Sequence, residues 1–97
     1  ELIEVALPVD GTWTLFVQGW STPGPNAAYD LYSWVVSATP GGNMSIDEAP
    51  TTAVLGNTNP VGVSWVGATS DQWHLGAVSH TGPDGLLGLT LIEVDNR

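Results

Sequence analysis

The stretch GTWTLFVQGW at residues 11–20 is followed, after a loop, by YDLYSWVV at residues 29–36. Both runs are rich in aromatic and β-branched residues, which are enriched in β-strands. The residues between them, STPGPN at 21–26, are turn-forming types. The pattern therefore predicts a strand, a loop and a second strand.

The second of these runs carries large apolar side chains on both of its faces. Successive side chains of a strand point to opposite faces, so Tyr29, Leu31 and Val35 share one face. Tyr32 and Trp34 share the other. We expect this strand to be covered on both sides, or to meet another domain.

Further β-prone runs lie before and after this pair, each bounded by Gly, Pro, Asn or Asp. They comprise residues 2–7, 44–46, 53–56, 61–65, 73–80 and 86–94. Asp10-Gly11 predicts a tight hairpin turn, and TGPDG at 81–85 predicts a hairpin loop. Strict alternation within the last run places Leu86 and Gly88 on one face. No run sustains a helical apolar period, so helix is expected to be minor.

About seven strands, with turn signals roughly every 8–12 residues, predict an all-β fold. The expected architecture is an antiparallel β-sandwich of immunoglobulin- or fibronectin-like type, with a jelly roll as the alternative. The 97 residues are expected to form a single domain over residues 1–97. Residues 37–43 are a candidate internal boundary. The chain opens at Glu1 inside a β-prone run, which predicts a piece cut from a longer protein.

Charge and composition exclude several classes of function. Ten acidic residues oppose one basic residue, Arg97, and the formal net charge is −9. Nucleic acids and anionic membranes are excluded as partners because binding them requires Lys and Arg. The acidity is interpreted as an aid to solubility, with cation binding as the alternative. Cysteine is absent, and the uncharged polar surface predicts a secreted, extracellular protein.

No pattern in the sequence predicts catalysis or a metal site. No serine has the Gly-x-Ser-x-Gly setting of a nucleophile elbow. His74 and His80 would lie about 20 Å apart on a regular strand, too far to share a zinc ion. Asp47-Glu48 and Asp84-Gly85 resemble calcium loops only weakly and are interpreted as turns. We expect no catalytic residue, no cofactor and no metal, with calcium as the alternative.

The five tryptophans predict either core packing or a binding platform, because aromatic rings contribute large contact areas to both. Core packing is the interpretation for Trp13, Trp34 and Trp65. Trp20 lies beside a Pro-Gly loop and is the best candidate for exposure, where it would stack on a polysaccharide or on another domain. The candidate ligand-binding residues are Trp20, Tyr32 and Trp73.

Two parts of the chain resemble a known family. Residues 10–20 with 28–34 resemble the close of the pre-peptidase C-terminal type of β-domain, which has a Gly-Thr-aromatic-Thr strand, a Gly and an aromatic-x-Leu strand. WHLGAVSH at 73–80, with LLGLT at 86–90, is similar to the final hairpin of secreted bacterial subtilisin-like serine proteases.

The resemblance implies a non-catalytic C-terminal accessory domain of such a protease, with a stabilising or substrate-engaging role. The family's Asp, His and Ser catalytic motifs have no counterpart in this chain. The expected partners are the catalytic domain of the parent protease and a protein or polysaccharide substrate. The alternatives are a carbohydrate-binding module that uses exposed aromatic residues, and a structural spacer.

Overall fold

A computed structural model describes all of residues 1–97, and strands are its only regular elements. They are β1 (Met44–Glu48), β2 (Gly62–Trp65), β3 (Trp73–Gly82) and β4 (Gly85–Asp95). β1 pairs with β2, and β3 with β4, in two antiparallel two-stranded sheets. The all-β prediction is confirmed, whereas the sandwich of about seven strands is not. The structure contains no helix long and apolar enough to cross a membrane.

The β3–β4 hairpin is the longest paired region of the chain. Pro83-Asp84 is its only unpaired connection, because Gly82 and Gly85 already face each other. Proline presets φ for the turn, and Gly85 leaves it at φ +116°, a conformation that other residues rarely adopt. The hairpin loop is therefore shorter than the predicted 81–85.

A β-bulge near the turn changes the faces of β4. Thr81 pairs with Leu86 and His80 with Gly88, so Leu87 is left without a partner. Because the extra residue interrupts the alternation, Leu86 and Gly88 lie on opposite faces. The prediction that they share a face is wrong, since strict alternation along the sequence cannot reveal a bulge.

The core is a small contact between β1 and one face of the hairpin. Val78 is the one buried side chain, with 6% of its surface exposed. Gly76 lies on the same face and makes room for Met44, because a Cβ at position 76 would lie 3.1 Å from the Met44 Sδ and Cε atoms. A larger residue at position 76 would displace the Met44 side chain.

The chain divides into two compact units, Glu1–Leu31 and Tyr32–Arg97. The candidate boundary at residues 37–43 lies inside the second unit. No strand forms before Met44, so the strands predicted over residues 2–7, 12–18 and 29–36 are absent. The short strand predicted over residues 53–56 is absent as well.

The hairpin predicted at Asp10-Gly11 does not form, and the residues before it explain why. Leu7 has φ +51°, a left-handed conformation that is rare for a leucine. Pro8 has no N–H group to donate to a ladder. Both residues lie where the first strand would have to pair. The Trp13 indole N–H instead donates a local hydrogen bond to the Val9 carbonyl, at 3.0 Å.

Candidate functional site: an aromatic–arginine cluster

Three aromatic rings and one guanidinium group meet at the open end of the β3–β4 hairpin, within the second unit. Tyr32 and Trp34 come from the segment before β1, Trp73 begins β3, and Arg97 follows β4. We call these four residues the aromatic–arginine cluster. Two of the three predicted ligand-binding residues, Tyr32 and Trp73, are thus brought together.

The rings of the cluster pack largely edge to face, an arrangement that the aromatic quadrupole favours. The centroids of Trp34 and Trp73 lie 4.5 Å apart at 79°, and those of Tyr32 and Trp73 lie 5.3 Å apart at 65°. Tyr32 and Trp34 are more nearly parallel, at 6.3 Å and 14°. The Trp34 indole N–H also donates to the Trp73 carbonyl at 3.0 Å, which anchors the segment before β1 to β3.

Arg97 completes the cluster as a cation over two rings. Its Cζ atom lies 4.2 Å from the Trp73 ring centroid and 4.9 Å from that of Tyr32, within the range of cation–π attraction. The same guanidinium donates to both carboxylate oxygens of Asp95, from Nε at 2.9 Å and from Nη2 at 2.8 Å. The only cationic side chain of the sequence is therefore engaged within the chain.

The ion pair changes the acidity of both partners. Side-chain hydrogen bonds from Arg97 lower the pKa of Asp95 to about 2. Hydrogen bonds with Asp95 and Tyr32 raise the pKa of the Arg97 guanidinium above its ordinary value. Because the Asp95 pKa is depressed on folding, the pair stabilises the fold above the ordinary carboxyl pKa of about 3.9. That stabilisation is lost as the pH falls through about 2, and solvent screens it because both side chains are half exposed.

Asn96 holds the end of the chain in place between the ion-paired residues. Its backbone N–H donates to the Gln72 carbonyl at 2.9 Å, and its own carbonyl accepts from the Asp71 N–H at 2.9 Å. Its side-chain amide donates to the carbonyls of Ala68, at 3.1 Å, and Thr69, at 3.4 Å. These bonds extend the hairpin pairing past β4 and so orient the neighbouring carboxylate and guanidinium groups.

A small pocket lies on the other face of the hairpin, between the two sheets. Its volume is about 50 Å³, enough for a few water molecules and much smaller than a typical ligand site of about 300–1,000 Å³. His74 lines this pocket, and its Nε2 atom is buried without a hydrogen-bond partner. Most of the other lining residues are apolar, among them Met44, Trp65 and Ile92.

The remaining predicted residues lie apart from the cluster. Trp20 belongs to the first unit and is 90% exposed, as expected from its place beside the Pro-Gly loop. Trp13 and Trp65 are exposed as well, so their prediction as core residues is wrong. Trp13 lies in an unpaired segment, and Trp65 ends the four-residue strand β2 at the rim of the small pocket.

The two histidines have separate surroundings. The His80 Nε2 atom is hydrogen-bonded to the Thr90 hydroxyl at 2.8 Å, whereas His74 lines the pocket. The structure brings together no three His, Asp or Glu side chains in a way that would hold a metal ion.

Sequence reasoning missed Arg97 and Asn96 as parts of a site. Asp95 and Arg97 are two positions apart and therefore share a face of an extended chain. This spacing could have predicted their ion pair. Their position beside Trp73 was not predictable, because the Trp73–Asp95 pairing depends on the bulge at Leu87.

Comparison with known proteins adds no relative to these observations. No protein-family model, curated protein or solved structure matches the chain. The resemblance to the pre-peptidase C-terminal type of domain therefore stays a prediction.

Proposed function

We propose that this chain is a non-catalytic accessory module that acts by associating with another protein surface. The observation that carries the proposal is the amount of surface left open. The chain exposes 8793 Å², whereas a compact monomer of its mass, 10.1 kDa, exposes about 5,300 Å². A protein that buries one side chain has most of its apolar surface available for a partner.

The excess surface is large enough for a stable interface. It amounts to roughly 3,500 Å², whereas each partner of a standard interface contributes about 800 Å². Monomeric proteins rarely leave contiguous apolar patches of more than a few hundred Å² open. Association is therefore a better explanation of this surface than catalysis in a pocket that holds a few water molecules.

The proposed partner is the catalytic domain of a secreted subtilisin-like serine protease. The resemblance of residues 10–20, 28–34, 73–80 and 86–90 to that family supports the choice. The module would stabilise the catalytic domain or engage its substrate. The proposal assigns no catalytic residue to this chain. In support, the ring of His80 is hydrogen-bonded to a threonine rather than placed between a serine and a carboxylate.

On association, we expect the aromatic runs to become strands. Tyr29, Leu31 and Val35, on one face of the second run, are all exposed in the structure. Covering them would supply the burial that an isolated strand lacks. The finished architecture would be the antiparallel sandwich of about seven strands, immunoglobulin- or fibronectin-like in type, with residues 12–18 and 29–36 as two of its strands.

Titrating the full chain with the catalytic domain of the parent protease tests the proposal. We expect binding with a negative heat-capacity change, since apolar surface is buried, and a gain of strand signal in far-ultraviolet circular dichroism. Peptide hydrolysis by the chain alone would overturn the non-catalytic assignment. Absence of both binding and strand gain would overturn the association.

Carbohydrate binding is the second candidate, and the exposure of Trp20 favours it. A sugar stacks on an open aromatic face, but Arg97 occupies one face of both Tyr32 and Trp73. Trp20 is then the best remaining platform. Retention on insoluble polysaccharide should be lost in Trp20→Ala and kept in Phe16→Ala, whose ring is similarly exposed at 86%. If the native chain is not retained, this candidate is excluded.

A further inference from the structure

The outer edge of β4 is an unpaired strand edge of unusual length. β4 has eleven residues, and β3 is its only neighbour. In such a strand about half of the backbone N–H and C=O groups point away from the partner and are free to bond another chain. β3 is covered more than β4, since every residue from Trp73 to Val78 is at least partly buried whereas most of β4 is exposed.

Three leucines form a row on one face of this edge strand. The bulge at Leu87 places Leu86 on the same face as Leu89 and Leu91, and each of the three is 40–42% exposed. Their cross-strand partners have short side chains: Thr81, Ser79 and Ala77. These short side chains leave part of each leucine open to solvent.

β4 carries little of the usual protection of an exposed edge, since its bulge lies at one end, beside the turn, and its charged residues lie at the other. Natural proteins block such edges with lysine, with proline or with a cover, because an open apolar edge recruits other strands. β4 contains no lysine and no proline. Its charged residues, Glu93 and Asp95, follow Leu91 on the same face, toward the C-terminal end of the strand, and leave the leucine row itself uncharged. An edge with so little protection is suited to accept a strand.

The negative charge of the chain determines what kind of strand the β4 edge accepts. The chain carries a formal charge of −9, and its one cation, Arg97, is already paired with Asp95. A second copy would bring the same net negative charge, which disfavours its approach. A strand with lysine or arginine at every second position would be attracted by the overall negative charge of the chain, and its alternate positions would be free to cover the leucine row.

We propose that the outer edge of β4 binds an extended, basic segment of the partner protein, in which aliphatic residues alternate with lysine or arginine. This inference rests on the proposed function and names the surface and the partner chemistry. The added strand would continue the β3–β4 sheet through main-chain hydrogen bonds, and its aliphatic side chains would pack on Leu86, Leu89 and Leu91.

Synthetic peptides test the inference on the full chain. The probe is an eleven-residue peptide of alternating valine and lysine, matched in length to β4. Two controls replace lysine with glutamate, or methylate every backbone nitrogen of the lysine peptide so that neither of its edges can donate to β4. We expect saturable binding of the lysine peptide that weakens with added salt, and at least about tenfold weaker binding of both controls. Equal binding of the methylated peptide would overturn main-chain pairing, and equal binding of the glutamate peptide would overturn the charge argument.

A pair of variants locates the binding surface. Leu91→Lys adds a cation to the leucine row and should weaken binding of the lysine peptide at least about tenfold. Leu55→Lys makes the same chemical change at an exposed residue outside all strands and should leave binding unchanged. Equal effects of the two variants would show that the peptide binds elsewhere.

The outcomes separate this inference from the proposed function. If the catalytic domain binds equally to Leu91→Lys and is not displaced by the lysine peptide, the β4 edge is not the docking surface, but the association stands. If the catalytic domain does not bind the native chain, the proposed function fails. The peptide experiment then tests by itself whether the β4 edge accepts a basic strand. Concentration-dependent dimerisation of the chain alone would overturn the choice of a basic partner.

Discussion

The β3–β4 hairpin and the first unit, residues 1–31, are built from similar residues, yet only the hairpin forms a sheet. Both contain alternating β-branched, aromatic and leucine residues, and both contain a two-residue turn signal. In the hairpin, the residues beside Pro83-Asp84 pair at once. In the first unit, Leu7 and Pro8 interrupt the strand before the turn. Of these two regions, only the hairpin closes the first pairs beside its turn, and only there does β-propensity become a strand.

Little buried apolar surface stabilises the β3–β4 hairpin. A two-stranded hairpin is marginally stable in water, and Val78 is its one buried side chain. The aromatic–arginine cluster and the Asn96 bonds hold the open end of the hairpin, while the bulge sets its faces. The side-chain hydrogen bonds of residues 1–31 are local, from Trp13 to the Val9 carbonyl and from Thr22 to the Gly24 carbonyl, which adds to the effect of Leu7 and Pro8.

The largest effect should come from forcing the hairpin into a different register. Deleting both Leu87 and Gly88 removes the bulge and shifts the remaining pairs by one residue. Because a slip of one residue exchanges the faces of a strand, Glu93 and Asp95 exchange faces with Ile92 and Val94. We expect loss of cooperative urea unfolding and of the near-ultraviolet circular dichroism of the packed rings.

The matched control is deletion of Leu87 alone. It removes only the unpaired residue, so Gly88 still meets His80 and the register beyond it is kept. This variant should retain both the cooperative transition and the dichroism of the tryptophans. If the single and double deletions behave alike, the bulge does not set the register.

A charge in the small core should have the next largest effect. Val78→Asp places a carboxylate at the one buried position, and we expect a loss on the order of 3 kcal/mol in the free energy of unfolding. Ser79→Asp adds the same charge at the adjacent exposed position and should cost far less. Equal losses, measured by urea denaturation, would mean that burial at Val78 does not stabilise the hairpin.

Removing the side-chain amide donor of Asn96 should cause a smaller loss in the free energy of unfolding. Asn96→Asp points a carboxylate oxygen at the carbonyls of Ala68 and Thr69, and we expect a loss of about 1 kcal/mol. Asn59→Asp introduces the same charge at a residue whose side chain makes no hydrogen bond, and should be nearly neutral. Thermal unfolding of the two variants would show no difference if Asn96 did not fasten the open end.

Removing the exposed ion pair between Arg97 and Asp95 should have the smallest effect on stability. Titration of the Asp95 carboxyl is the more sensitive measurement of this pair. In the native chain, the Asp95 carboxyl should titrate near the value of about 2 that Arg97 imposes. Arg97→Gln should return it toward about 3.9, and Arg97→Lys should leave it between the two. Carbon-detected NMR of the carboxyl group reports all three, and an Asp95 that titrates near 4 in the native chain would contradict the pairing.

The sequence predicted the part of the fold that short-range pairing determines. The runs at 44–46, 61–65, 73–80 and 86–94 all became strands, each paired with the next strand along the chain, and the hairpin turn formed within TGPDG at Pro83-Asp84. The runs at 2–7, 12–18 and 29–36 were over-predicted. Their β-propensity describes a half-buried surface, and most of their side chains are exposed in the structure, with Tyr32 and Trp34 alone packed against Trp73.

The candidate site was predictable only in part. Tyr32 and Trp73 were singled out as binding residues, and the structure brings them together. Arg97 was noticed only as the lone cation of the sequence. Its place over the Trp73 ring depends on pairing between residues 22 positions apart, on a bulge and on the Asn96 bonds, none of which has a local signature.

Hydrogen–deuterium exchange of the full chain tests the central contrast most directly. Backbone amides within β3 and β4 should be protected, because their hydrogen bonds are paired, whereas amides of residues 1–31 should exchange at nearly the rate of an unfolded chain. Addition of the proposed protein partner should then slow exchange at residues 12–18 and 29–36. Protection of those two runs equal to that of the hairpin, in the chain alone, would contradict the account.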